Sequence, residues 1–385
     1  MLDPTLPPVP APERSISPWG LGVLALAGSL TLFVLIGVPL QAVSAGAGIW
    51  FTELFLFFGW GWALLRWSGR DPVAYLGLRW PGGWPLLLAL GLAVGNYFAV
   101  VIPLQYVVQL VLPRSWVELF DQTQVFERAT GPELVMAVTG AVAAAPIGEE
   151  VIFRGLLLQG LLRRGTATLL AVGSSALVFG ACHLNPVAFP SLLELGILFG
   201  LLYARTRSVL PGMVAHLGSN LTATLLYVAG RGQEATPADG PAEVRVIAIA
   251  SAAGWGLLAL LLTAARRSPG AWGPERTEDG ARKPVPLARA LLPWVIGGAA
   301  SLLAWGLLDR RGIELDVADL QVRLPPERST EPAWERDRRS EVAALREDAR
   351  HGRTSTGAYL AARRALADAL ERPDAGQSPP DAGVP

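Results

Sequence analysis

Long stretches of almost uncharged residues alternate with short polar joints along most of this chain. The apolar stretches lie near residues 20–43, 48–66, 85–112, 133–161, 167–185, 188–204, 209–229, 245–265 and 290–308. A run of about 18 or more apolar residues reads as a transmembrane helix. Pro, Gly and Arg mark most of the joints. Residues 66–83 form a longer loop carrying Arg66, Arg70, Asp71 and Arg79. Residues 113–132 place Trp116, Phe120 and Phe126 among acids and read as interfacial. Residues 266–289 are a polar linker, and Pro286 and Pro293 flank the start of the ninth stretch. The pattern predicts an all-α, polytopic transmembrane helix bundle of eight to nine helices, with a charged C-terminal tail. Its parts are an N-terminal tail over 1–19, a membrane domain over 20–308 and a polar tail over 309–385. Within the tail, 334–350 and 356–371 have helical periodicity with Arg and Glu interleaved. Residues 372–385, rich in Pro, Gly and Asp, are expected to be disordered.

Composition narrows the class further. The chain is 51% hydrophobic and only 17% charged, where a soluble domain averages about 25% charged. A net charge of zero gives no reason to expect nucleic acid. The single cysteine, Cys182, rules out an intrachain disulfide and any multi-cysteine metal site. Residues 1–18 are Pro-rich with one basic residue, Arg14, and the apolar run after them is too long for a signal-peptide core. Loop charge predicts the orientation. One side collects Arg14, Arg66, Arg70, Arg79, Arg163, Arg164, Arg205 and Arg207, then Arg266, Arg267, Arg276, Arg282, Lys283 and Arg289. The other collects only Arg114, Arg128, Arg231 and Arg245 before the tail. The first side, with the N-terminus, is expected to be cytoplasmic.

Against this background the doubled acid Glu149-Glu150 stands out, because charge within hydrocarbon is costly and defaults to a functional reading. Glu149 precedes the surface-marking Arg163 by a helical rise of roughly 21 Å, too deep for a merely solvated acid. Glu150 and Arg154 are four apart and can pair on one helix face. Glu149 points about 100° away and has no local partner, which suits a general base. His183 ends an apolar stretch before Asn185-Pro186; alone, it reads as well as an interfacial hydrogen-bonding residue. His216 and Asn220 share a helix face and could both donate to one oxygen, or form a polar contact between helices. Glu53 and Glu194 are further acids in apolar surroundings; Glu53 is expected near a helix end, and Glu194 takes no role. Cys182, beside His183, lacks an evident base and is not expected to be a nucleophile.

Three motifs, Glu149-Glu150-x-x-x-Arg154, Phe179-x-x-x-His183 and His216-x-x-x-Asn220, lie in order on separate predicted helices. Together they resemble the signature of the CPBP family, the type II CAAX prenyl proteases and bacteriocin-processing enzymes. The stretch from Gly196 to Gly212 ahead of His216 is also similar, and the resemblance covers about 130–230. It implies an intramembrane endopeptidase that hydrolyses a peptide or protein substrate at the lipid bilayer. It implies that Glu149 and His183 activate water, that His216 and Asn220 stabilise the oxyanion, and that Glu150 and Arg154 support them. The family is often described as metalloproteases. Glu149, His183 and His216 could make a three-ligand zinc site with an open fourth position. The His-Glu-x-x-His arrangement of common zinc proteases is absent from the sequence, and a metal-free glutamate mechanism is favoured. Two other classes fit the membrane pattern. A proton-coupled transporter would use the same acids and histidines as a relay, but no inverted repeat is visible. A catalytically silent scaffold would have no need of all four polar site residues.

Overall fold

The computed structural model describes residues 16–78, 80–121, 123, 126, 131–230, 241–267, 283–323, 333–350 and 362. All regular structure among them is helical, as expected for an all-α polytopic bundle. Nine long elements follow the nine apolar stretches: α1 (Pro18–Val43), α2 (Ala45–Trp67), α3 (Gly83–Val111), α4 (Glu133–Arg163), α5 (Thr168–Cys182), α6 (Phe189–Thr206), α7 (Val209–Gly230), α8 (Pro241–Arg267) and α9 (Leu287–Arg323). Seven of the described helices are long and apolar enough to cross a membrane, and α5 is a shorter apolar helix. The protein is a multi-pass membrane protein. The ninth helix does not stop near 308: it runs unbroken through Pro293 to Arg323. The tail helix expected over 334–350 is α10 (Ala333–Arg350), packed back against α9. The expectations for residues 1–15, 356–361, 363–371 and 372–385 lie outside the described residues.

Several helices are not uniform. The backbone widens to π-type turns at Phe33–Gly37, Tyr97–Val101 and Gly140–Ala144. Each is followed two residues on by a proline: Pro39, Pro103 and Pro146. A proline inside a helix cannot donate and its ring strikes the carbonyl four residues back. Opening the preceding turn relieves that clash while the helix continues. In α4 the widened 140–144 segment is followed by Ala145–Glu150 and then by a second widened stretch, Val151–Leu158, in which every residue is buried. The doubled acid therefore sits on one short regular segment between two distorted ones.

Lipid is as apolar as leucine, so helices associate through close packing of small residues and through hydrogen bonds. Gly196 and Gly200 on α6 face Ala176 and Val172 on α5; a Cβ at either glycine would stand 2.9 Å from its neighbour. The Ser175 hydroxyl on α5 donates to the Phe153 carbonyl on α4 at 3.0 Å. The buried residues form two clusters. One joins α1, α2, α4 and α5, with Phe153 and Phe179 among its members. The other joins α3, α6, α7 and α8, with Phe199 and Ala215 among its members. The polar residues of the three motifs lie where the two clusters meet.

Candidate active site

Glu150 and Arg154 pair as their spacing predicts. Arg154 Nη1 donates to Glu150 Oε1 at 2.8 Å, and both side chains are fully buried. A buried ion pair survives only when its remaining polar groups and charge are met. Arg154 Nη2 donates to the Gly196 carbonyl at 3.2 Å, across the close α5–α6 contact. The guanidinium also lies over two rings, 4.4 Å from the centre of Phe179 and 5.3 Å from that of Phe199. Such desolvated cation–π contacts contribute about 2 kcal/mol.

Glu150 has a second partner that the spacing does not reveal. His216 Nδ1 lies 3.2 Å from the same Oε1. Phe199 stacks on the imidazole with ring centres 4.8 Å apart, and Phe179 meets its edge at 5.9 Å. Gly212, one turn earlier on α7, admits the Glu150 carboxylate: a Cβ there would stand 2.7 Å from Oε2. The His216 ring is thus fixed on three sides, with only Nε2 left to face the site.

Glu149 is where the motifs meet. His216 Nε2 lies 3.8 Å from its Oε2, and His183 Nε2 lies 3.9 Å from its Oε1. Both separations exceed a direct hydrogen bond. His183 is oriented through its other nitrogen, 2.9 Å from the Phe179 carbonyl. The Glu149 and His183 side chains keep 13% and 24% of their exposure, whereas Glu150 and Arg154 keep almost none, so of the two acids only Glu149 is open to a substrate. Asn220 lies on the same helix as His216, but its Nδ2 donates to the Ala141 carbonyl in the widened turn of α4, at 2.8 Å. An amide nitrogen has two N–H groups, so this contact ties α7 to α4 and uses one of them.

Glu53 is placed differently from the expectation of a helix end. It lies well inside α2, 7% exposed, against the backbone of Gly148. Its Oε2 has no hydrogen-bond partner. The sequence shows Glu53 and Gly148 only as separate residues; a glycine directly before the paired acids was the available sign of a close approach. Glu194 accepts a hydrogen bond from Asn96 Nδ2 at 3.0 Å. Cys182 is a free, partly buried thiol. Two further contributors were hidden in apolar sequence: Phe199, and the Gly196 carbonyl.

No group of three His, Cys, Asp or Glu side chains with metal-holding spacing occurs among the described residues. In a zinc reading Glu149 would become a ligand and a second base would be needed. The neighbouring Glu150 already carries Arg154 and His216 on one oxygen.

Residues 131–222 match the family model described as type II CAAX prenyl endopeptidase Rce1-like. The match spans all three motifs, bears out the resemblance to CPBP proteases and indicates a protease. It names no metal. No curated protein and no solved structure matches the chain.

Proposed function

We propose that the chain is an intramembrane endopeptidase that hydrolyses a peptide bond of a membrane-associated substrate with water activated by Glu149. The observation that carries this reading is the convergence of two histidine Nε2 atoms, from α5 and α7, on the two oxygens of one half-buried carboxylate on α4. A water between Glu149 and His183 can lose its proton to the carboxylate as its oxygen attacks the carbonyl carbon. The carbonyl oxygen then gains negative charge, and His216 Nε2, with the second amide N–H of Asn220, supplies donors toward it. The proton held by Glu149 passes to the leaving amine, so the base returns to its starting state. The Glu150 carboxylate behind Nδ1 holds the His216 ring so that Nε2 faces the site. Glu150, Arg154, Phe179 and Phe199 position the ring and do not meet substrate.

The mechanism needs no metal, because Glu149 serves as base and Glu150 is already engaged. Purified wild-type protein and Glu149→Gln are compared on a membrane-tethered peptide. Glu149→Gln should insert normally and lose at least about 100-fold in kcat. Retained cleavage refutes the base assignment. Activity should also persist after exhaustive chelation; near-stoichiometric zinc that tracks activity would instead make Glu149, His183 and His216 ligands.

A further inference from the structure

A cavity of about 480 Å³ lies between the end of α3, the segment after it, the α5–α6 turn and the end of α7. α7, which carries His216 and Asn220, and the turn that follows His183 form part of its walls. Asn185, in the turn that follows His183, and Thr224, one turn beyond Asn220 on α7, both line it. The segment after α3 contains a short helix, Arg114–Leu119, and caps the cavity. Asn185 holds the cap and the turn together: its Nδ2 donates to the Phe120 carbonyl at 2.9 Å, and its Oδ1 accepts from the backbone N–H groups of Val187 and Ala188 at 3.0 and 2.9 Å. The polar lining is supplied by amides and hydroxyls, with Gln105, Gln109, Asn185, Thr224 and Tyr227 among them. Among the described lining residues Asp121 is the one acid, and none is Lys, Arg or His. Neutral groups that both donate and accept match a peptide backbone. The described lining offers no counter-charge to a free C-terminal carboxylate or to a phosphate.

The cavity also has a side. Every element that forms it does so at the end away from the arginine-rich joints. α4 ends at Arg163 and Arg164, where α5 begins, and the cavity lies beyond the other end of α5. α6 runs from the cavity to Arg205 and Arg207, and α7 runs from there back to Thr224 and Tyr227. Basic loops stay in the cytoplasm.

From these two observations, and resting on the hydrolytic reading above, we infer that the cavity receives an uncharged internal segment of a peptide presented at the non-cytoplasmic face. A cytoplasmic lipidated C-terminus would approach from the wrong side and would bring a carboxylate that the described lining does not meet.

The test uses the full chain with Cys182→Ala, expressed in a bacterial inner membrane. Ser115 lies on the exposed cap and Ala167 on the exposed α4–α5 joint. In spheroplasts a membrane-impermeant maleimide should label Ser115→Cys directly and Ala167→Cys only after permeabilisation. The reverse pattern overturns the face assignment. In a second arm, short internally quenched peptides blocked at both ends are added outside. Wild type should cleave them without permeabilisation, and Glu149→Gln should not. Ala223→Trp, which fills the cavity wall, should raise KM roughly tenfold with kcat held. Cleavage only after permeabilisation, or only of peptides with a free C-terminus, overturns the proposal. If labelling is as expected and no peptide is cleaved from either face, the hydrolytic reading falls and the peptide occupant with it, while the face assignment stands.

Discussion

One carboxylate oxygen, Oε1 of Glu150, receives both Arg154 and His216, and so couples the stability of the bundle to the geometry of the site. Removing its charge leaves Arg154 buried among two aromatic rings and a single carbonyl. Breaking a buried pair from one side costs about 3–5 kcal/mol. Glu150→Gln keeps one acceptor, so a loss of about 3 kcal/mol is expected, read as reduced thermal stability of detergent-purified protein. Glu149→Gln should leave that stability nearly unchanged, and this contrast separates support from catalysis. His216 tests the oxyanion role. His216→Ala should lose roughly 3–4 kcal/mol of transition-state stabilisation, while His216→Asn should keep part of the activity because an amide can still donate. Equal loss in both variants, measured as kcat, would remove the donor assignment.

At the level of elements, the site exists because helices approach more closely than ordinary side chains allow. The α2–α4 contact at Gly148 is the tightest of these near Glu149. A Cβ there would collide with the carboxylate, the carbonyl oxygen and the Cα of Glu53. Gly148→Ala should therefore push α4 away from α2 and displace Glu149. Overpacking of this kind costs about 1–3 kcal/mol, and a shift of about 1 Å at the base can cost roughly 100-fold in rate. Adding Glu53→Ala should not restore activity, since the backbone of α2 still blocks the methyl group. Full rescue in that double variant would show that the carboxylate alone limits the approach. The proline-linked widening before Ala145–Glu150 acts in the same direction, because it changes the helical phase on which the paired acids are presented.

At the level of the whole molecule, the described helices α1 to α9 place the site where two buried clusters meet, away from α10. α10 packs on α9, and neither cluster includes a residue beyond Leu258. The arginine distribution predicts the orientation of all nine. A reporter fused at residue 275, in the polar linker between α8 and α9, should report a cytoplasmic location. A non-cytoplasmic signal there would invert the assignment of every loop.

The sequence by itself determined the all-α, multi-pass character of the chain and the approximate positions of its apolar helices, because a spanning helix must be apolar along its whole length, and that is a property of composition over a window. It also determined the Glu150–Arg154 pair, since spacing of four fixes a shared face within one helix. The prominence of Glu149, His183, His216 and Asn220 was legible too, because polar groups are rare in such surroundings. Only the tertiary structure decided that His216 turns its Nδ1 to Glu150, that Asn220 binds the backbone of α4, and that Glu53 lies buried against Gly148. These contacts join residues far apart in the chain, and helical periodicity states which face a residue occupies without stating what that face meets. The aromatic clamp of Phe179 and Phe199 was illegible for the same reason. A phenylalanine in an apolar helix reads as packing until a cation is seen beneath its ring.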